Sequence, residues 1–512
     1  MVLKLPTSEP KILKNGIFYT DSYNKLPLFN VQEKNNFKNK GLIVRSWEES
    51  FTILGKVSIK DVNPEFVASL ISHNQTCLVS PYINIKRIPR ASKVRIFDNG
   101  DIEIYKKKPF RFNNFNLNNE DPHHLVKEKI LSNLKKITNN IEGPLACEHS
   151  SGLDSNVLVS SLVNGLKINP EKLITISYLG CGEGELIKKF RKGYKLLDEN
   201  FHSIDSDISS ISPVETINKM IGILGFPHQS GYDTNFLEFL RNKKCHNLIS
   251  GFGGDQGVSH NAINLPTDYL QKLRFLELIY WLRNSSISKK FVFGNLLAIL
   301  CPFWRTQKIL KLSNYGQKYN PAILFLTDDG RDWLSKYIKK EYLWEKDRFV
   351  SLKKSICNRL NADWLSIRVE EEIRIANNYS INKHFPFIDE SLIGLILRLD
   401  ESLFGKGFRK GRLLIREAFR DFIPQELYID PIKYRPHDEN TFHKLHIVQL
   451  ERNVSEIKNC HELIRKYWRV DEIIKNAEYQ ISSNNKDMNL IHIYNSSILS
   501  ISKISCWFKL LS

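Results

Sequence analysis

A chain of 512 residues exceeds one ordinary hydrophobic core, and its length alone predicts roughly two to four domains. Hydrophobic residues make up 42% and aromatic residues 11%, enough to fill large cores, while a mean hydropathy of −0.32 and the lack of a long uncharged apolar run argue for a soluble chain and against a membrane-spanning one. The formal net charge of +18 attracts polyanions, and nucleic acid, ATP, pyrophosphate or an acidic peptide would each fit it, with an AT-rich coding sequence, which enriches Lys, Asn and Ile, as the bland alternative.

Residues 1–40 are polar and irregular, and Lys4, Glu9, Lys11 and Lys14 interrupt any signal-peptide pattern. The eight cysteines are scattered with no C-x-x-C pair, which argues against a zinc site or a disulfide framework. Reduced thiols in a cytoplasmic protein are expected. Residues 41–112 read as short strands at 41–44, 51–59, 76–79, 94–97 and 101–105, with Asn99-Gly100 as a hairpin turn. This defines a small β-rich N-terminal domain over 1–120, with residues 111–121 as linker. A second domain is expected over 121–512. It opens on a helix capped by Asp121 with Pro122 at the first position, and Val126, Ile130 and Leu134 lie on its apolar stripe. His123 and His124 are neighbours on that helix and point apart, so they read as solvated.

Strands and helices then alternate. Strands are predicted at 144–147, 173–178, near 201–204 and near 246–250, with helices at 155–163, 183–197 and 213–224 between them. This order predicts an α/β fold built on a parallel, doubly wound sheet, with ligands beyond the carboxyl ends of the strands. Residues 260–512 are helical in pattern, strongly so at 273–282 and 363–375, and the apolar tail 491–511 reads as a packed final helix. The Glu370-Glu371-Glu372 run reads as a solvated helix face, with a base for an attacking amine as the alternative. Lys188, Lys189, Arg191, Lys192 and Lys195 likewise read as solvated surface.

The most informative stretch is His149-Ser150-Ser151-Gly152-Leu153-Asp154-Ser155-Asn156. An apolar run leads into it and a helix-compatible run follows. Such a strand–loop–helix turn aims backbone N–H groups and a helix N-terminus at one place, which suits phosphate. A carboxylate at the helix entry suits magnesium. An ordinary tight turn with helix capping by Asp154 is the bland alternative.

Ser150 to Ser155 resembles the SGGxDS loop of the N-type ATP pyrophosphatases, which split ATP between its α- and β-phosphates. Downstream, Ser250-Gly251-Phe252-Gly253-Gly254-Asp255, Phe385-Pro386-Phe387-Ile388-Asp389, the segment RLLIREAFRDFIP (412–424) and Ile432-Lys433-Tyr434 resemble, in the same order, segments of the asparagine synthetase family. Among its members the chain is most similar to stand-alone amide-forming enzymes, the β-lactam synthetases and the macrolactam-forming cyclases of lasso peptides. The resemblance implies an ATP-dependent carbon–nitrogen ligase that adenylates a side-chain carboxylate. Ser150, Ser151, Gly152 and Ser155 would cradle pyrophosphate, and Ser250, Gly251, Gly253 and Gly254 would lie against ATP. Asp154 and Asp255 would share Mg2+, and Lys433 would stabilise the charge on the adenylate. Arg416 would meet phosphate or brace its helix. Glu183 or Glu185 stands near an acidic position of the family, or in a plain turn. The implied partners are ATP, a peptide with an Asp or Glu, and a leader peptidase, with no membrane and no nucleic acid.

Four positions depart from the family. Val2 stands where full-length members carry the glutaminase cysteine, so glutamine hydrolysis is lost and the N-terminal strands would be a remnant. Ser151 replaces a glycine and would cost about 1 kcal/mol if its backbone were left-handed. Phe252 replaces a glutamate or tyrosine and cannot transfer a proton. Asn382 replaces a glutamate. Ammonia-dependent asparagine synthesis is therefore disfavoured relative to peptide macrolactam formation. A nucleic-acid-modifying relative and a non-catalytic nucleotide-binding relative complete the alternatives.

Overall fold

The structure, a computed structural model, describes residues 11–14, 16–21, 25, 27–32, 42–71, 79–99, 101–106, 120–139, 141–178, 184–204, 213–228, 234–284, 297–298, 300–307, 321–337, 350–405, 411–429, 439–483 and 488–512. Gly100, most of the 111–121 segment, Glu183 and the Ile432-Lys433-Tyr434 segment lie outside the described residues.

The N-terminal part builds two small antiparallel sheets. Strands β1 (Gly16–Tyr19), β5 (Ser92–Ile96) and β6 (Ile102–Lys106) form one, in the order β1-β5-β6. Strands β2 (Phe29–Val31), β3 (Leu42–Val44) and β4 (Ile85–Arg87) form the other, in the order β3-β2-β4. The strand expected over 51–59 is instead the end of a helix, Trp47–Leu54. Ser46 and Glu49 close a capping box at its start, and Trp47, Phe51 and Leu54 fall on one buried face. The β-branched Thr52 and Ile53 mimic a strand, but the cap and the helical spacing decide.

The central sheet contains β7 (Leu145–Glu148), β8 (Leu173–Tyr178), β9 (Phe201–Ile204), β10 (Asn247–Ile249) and β11 (Asn382–His384). Its order is β11-β10-β7-β8-β9 and every pairing is parallel. The chain thus runs outward from β7 to β9, then crosses back to place β10 on the other side of β7. The reversal point of the order lies between β7 and β10, where crossovers leave in opposite directions and open a crevice at the carboxyl edge.

Both faces of this sheet are covered, as parallel strands require. Leu145, Cys147, Leu173 and Ile249 join one core with helices Pro122–Thr138, Leu153–Ser160 and Leu352–Leu360. Ala146, Ile174, Ile176 and Leu248 point the other way, into a core shared with the N-terminal Phe29, Trp47 and Tyr82, helix Pro213–Leu224 and the final helix Met488–Leu511. Trp507 is fully buried there and donates to Tyr82 Oη at 3.2 Å. Among the described residues no helix is long and apolar enough to cross a membrane.

The Glu370–Glu372 run is not a solvated face. All three residues lie in helix Asp363–Asn377 and are buried. Glu370 accepts from Trp47 Nε1 at 2.7 Å and pairs with Arg87 at 3.1 Å. Glu372 pairs with Arg368 at 2.7 Å and Lys383 at 2.8 Å. The half-buried Lys503 is lowered to about 8 by desolvation and drawn back up by the charge of Glu371. Arg191 also departs from the solvated surface expected of it. It is buried, lies 4.2 Å from the Phe201 ring centroid and donates to Leu197 O at 2.6 Å, while Lys188, Lys189, Lys192 and Lys195 stay exposed.

Candidate active site

Because β7 and β10 are neighbours, the loops that follow them meet at the crevice. Gly152 caps helix Leu153–Ser160 with extended backbone, so the chain leaves β7, turns once and enters the helix. The loop is held by its own side chains. Ser150 N–H donates to Ser155 Oγ at 3.0 Å and Gly152 N–H to Ser150 Oγ at 3.1 Å. Asn156, fully buried, donates from Nδ2 to Ser150 O and Gly152 O, each at 2.8 Å. With its amide spent as donor, Asn156 Oδ1 must accept from His149 Nε2 at 3.1 Å. That fixes His149 as the neutral tautomer protonated at Nε2, in keeping with a value lowered to about 4 by burial. Asn156 stands one residue past the resembling loop, and an amide directly after Asp-Ser was its only signal.

Ser151 is 1% exposed and its φ is not positive, so the side chain in place of glycine brings no left-handed strain. The second loop shows where glycine is required. Gly253 has φ +95°, and a side chain there would run into Ile388. A Cβ on Gly254 would stand 2.7 Å from Asp154 Cγ. The second loop is therefore shaped around the carboxylate of the first, and Gly251 lies against the Asp154–Ser155 backbone.

Asp154 and Asp255 face one cation. Arg412 Nη2 reaches Asp255 Oδ1 at 2.5 Å and its Nη1 lies 3.8 Å from Asp154 Oδ2. Arg412 precedes helix Leu413–Ala418 in the left-handed region, with φ 60°, a conformation that costs a non-glycine residue about 1–3 kcal/mol. Burial raises the Asp154 carboxyl above the ordinary carboxylate range, and Asp255 raises it further; Arg412 opposes this without cancelling it. Asp154 Oδ1 is buried with no hydrogen-bond partner.

These groups line a cavity of about 350 Å³ that also includes Glu148, His149, Phe252, Arg368 and Arg416. Ser150, Ser151, Gly152, Asp154, Ser155, Gly251 and Asp255 all border it. Ser250 sits behind, buried, with its hydroxyl donating to Glu148 Oε2. Gly253 and Gly254 shape the second loop from within. Lys433 lies outside the described residues. Arg416 borders the cavity but donates to Leu427 O and, at 3.1 Å, to Tyr428 O, so it braces the turn after its own helix. Asp389 accepts from the N–H groups of Ser391 at 3.0 Å and Leu392 at 3.1 Å and caps helix Glu390–Ile396. His124 is exposed, while His123 Nδ1 lies 3.4 Å from Leu414 O.

Among the described residues no group of three or more His, Cys, Asp or Glu side chains is placed to hold a metal. Two carboxylates are enough for magnesium, which keeps several waters and draws its other oxygens from phosphates. The orphaned Asp154 Oδ1 and the space kept by Gly254 fit such an ion. Compared with known proteins, the chain matches no family model, and no curated protein is significantly similar to it.

Proposed function

We propose that the protein is an ATP-dependent amide ligase of the asparagine synthetase type, working in the cytoplasm on a doubly wound nucleotide-binding fold. It adenylates a side-chain carboxylate, passes the acyl group to an amine and releases AMP and pyrophosphate. The observation that carries this reading is the Asp154–Arg412–Asp255 constellation, with an unpartnered carboxylate oxygen, at the mouths of two loops that meet at the sheet's reversal point. A purely structural ion pair gains nothing from a strained arginine, and the orphaned oxygen belongs to a residue that lines a cavity a ligand can enter.

Asp154 and Asp255 would hold Mg2+, which supplies charge neutralisation on the triphosphate. The loop binds pyrophosphate through the Ser150 and Gly152 N–H groups, now held by hydroxyls that a stronger phosphate acceptor displaces. Arg412, released from the aspartates, turns to the phosphates. Phe252 and Arg368 close the cavity beside them and exclude water from the activated acyl group. The free thiols Cys147, Cys245, Cys301, Cys357, Cys460 and Cys506 fit a reducing compartment.

The test is release of AMP and pyrophosphate from Mg·ATP by the purified protein, with Asp154→Ala as control. One tube receives aspartate and ammonia. Another receives a ribosomal peptide encoded beside the gene that carries an internal Asp or Glu. Peptide-dependent AMP with loss of one water from the peptide mass is expected. AMP with aspartate alone would favour asparagine synthesis, and no binding of ATP would sink the reading.

A further inference from the structure

The wall of the cavity around Phe252 carries a second charge arrangement, separate from the two aspartates. Glu148, the last residue of β7, lines the cavity with its side chain 24% exposed. Behind it lies Lys383, 1% exposed, which pairs with Glu148 Oε1 at 2.6 Å and Glu372 Oε2 at 2.8 Å. Glu372 in turn pairs with Arg368, whose guanidinium lies 4.2 Å from the Phe252 ring centroid and lines the same cavity. The buried pair Lys383–Glu372 is balanced within itself. What reaches the cavity is therefore the Glu148 carboxylate, the Phe252 ring and the Arg368 guanidinium over that ring.

We infer that Glu148 is the binding group for the attacking amine, taken up as a primary ammonium ion. This deepens, and rests on, the ligase reading above. Each Glu148 oxygen has one donor among the described residues, Lys383 on Oε1 and the Ser250 hydroxyl on Oε2. A carboxylate has about four acceptor positions, so those turned to the cavity remain for an N–H donor. Phe252, whose backbone N–H donates to the same Ser250 hydroxyl at 3.3 Å, lines the cavity with Glu148. Phe252 cannot take a proton, and Glu148 supplies on the same wall the base that residue lacks.

The chemistry requires such a group. The ammonium ion has no lone pair, so it gives one proton to Glu148 before it attacks the acyl carbon of the adenylate. The new carbon–nitrogen bond forms and the bond from acyl carbon to phosphate oxygen breaks. AMP leaves with that electron pair, and the nitrogen loses its second proton to solvent.

Glycylglycinamide, an ammonium without a carboxylate, is the binding probe, titrated by NMR with and without Mg2+ and α,β-methylene-ATP. Wild type is expected to bind it and not its N-acetyl derivative, and Glu148→Gln is expected to bind at least about ten-fold more weakly. Lys383 keeps Glu372 in that variant, so no buried charge is stranded. Should it not fold, Glu148→Asp, which withdraws the charge by one methylene, replaces it with a smaller expected loss. In turnover, methylamine and hydroxylamine are compared, using the carboxylate that supports AMP release. Hydroxylamine is already unprotonated at neutral pH, so E148Q should raise the ratio of hydroxylamine product to methylamine product about ten-fold. Equal binding of glycylglycinamide to wild type and E148Q, or none to either, overturns the inference. AMP absent under every condition, with ammonium binding still dependent on Glu148, overturns the ligase reading and leaves the subsite standing.

Discussion

Two groups of carboxylates in this molecule face opposite situations. Glu370, Glu371 and Glu372 are consecutive on one helix, and since successive residues point about 100° apart, each meets a different neighbour. Cations come to them from three directions: Arg87 in the N-terminal part, Lys503 in the final helix, and Lys383 with Arg368 beside the cavity. Burial pushes Glu372 upward, yet Lys383 and Arg368 hold it below the ordinary carboxylate value. Asp154 and Asp255 share a single arginine, and there burial wins: Asp154 is raised and one of its oxygens has no partner. Glu370 Oε2 is buried without a partner too, but Arg87 and Trp47 hold its other oxygen and it does not line the cavity, whereas the orphaned oxygen of Asp154 lies where a ligand can reach it.

The sharpest way to break this contrast is to remove a shared cation of the glutamate group. Lys383→Met strands Glu148 and leaves the buried Glu372 with Arg368 alone, which is expected to cost about 1–3 kcal/mol of stability. Urea unfolding measures it; a loss below about 1 kcal/mol would mean the network is no more structural than the aspartate pair. Asp154→Asn should do the reverse. It is expected to lower the rate of AMP formation about 100-fold or more while leaving the ligand-free fold at least as stable as wild type. Thermal melting without nucleotide and the AMP assay read the two halves.

Acidity sharpens the same comparison with a smaller effect. A raised Asp154 keeps its proton to a higher pH in the folded protein than in the unfolded chain. Stability from that proton is present at low pH and is lost as the pH rises through the raised value. Magnesium needs the anion, so Mg·ATP affinity runs the other way and weakens as the pH falls through the same value. Titration calorimetry across that range should show the trend in wild type and a flatter profile in Asp154→Asn. A profile unchanged by the substitution would assign the pH dependence to another group.

Much of the site was legible because its signals are local. Glycine chemistry and the change from strand period to helix period mark both loops, and the alternation of elements predicts the parallel sheet on which they meet. Charges proved harder to read. A sequence states that burying Glu370 to Glu372 or Arg191 is costly, but only tertiary structure brings Arg87, Lys503 or the Phe201 ring to offset the cost. The same holds for Arg412: its motif is visible, but its place between Asp154 and Asp255 depends on a left-handed residue before a short helix. At Trp47–Leu54 the signal was present in the capping box, and β-branched residues obscured it.

The smallest expected effect concerns the residue that departs most visibly from a glycine loop. Ser151 is buried without a positive φ, so its Cβ meets no backbone penalty. Ser151→Gly then frees the unfolded chain more than it relieves the folded one, and is expected to lower stability by up to about 1 kcal/mol. The loop geometry is fixed by Ser150, Ser155 and Asn156 through contacts that do not use the Ser151 side chain. Mg·ATP affinity in the glycine variant should therefore stay within about two-fold of wild type, since removal of a side chain that no phosphate contact needs changes little. A gain in both stability and affinity would show that the serine strains the cradle after all, and that the loop, like Arg412, holds its ligand-free form at a cost.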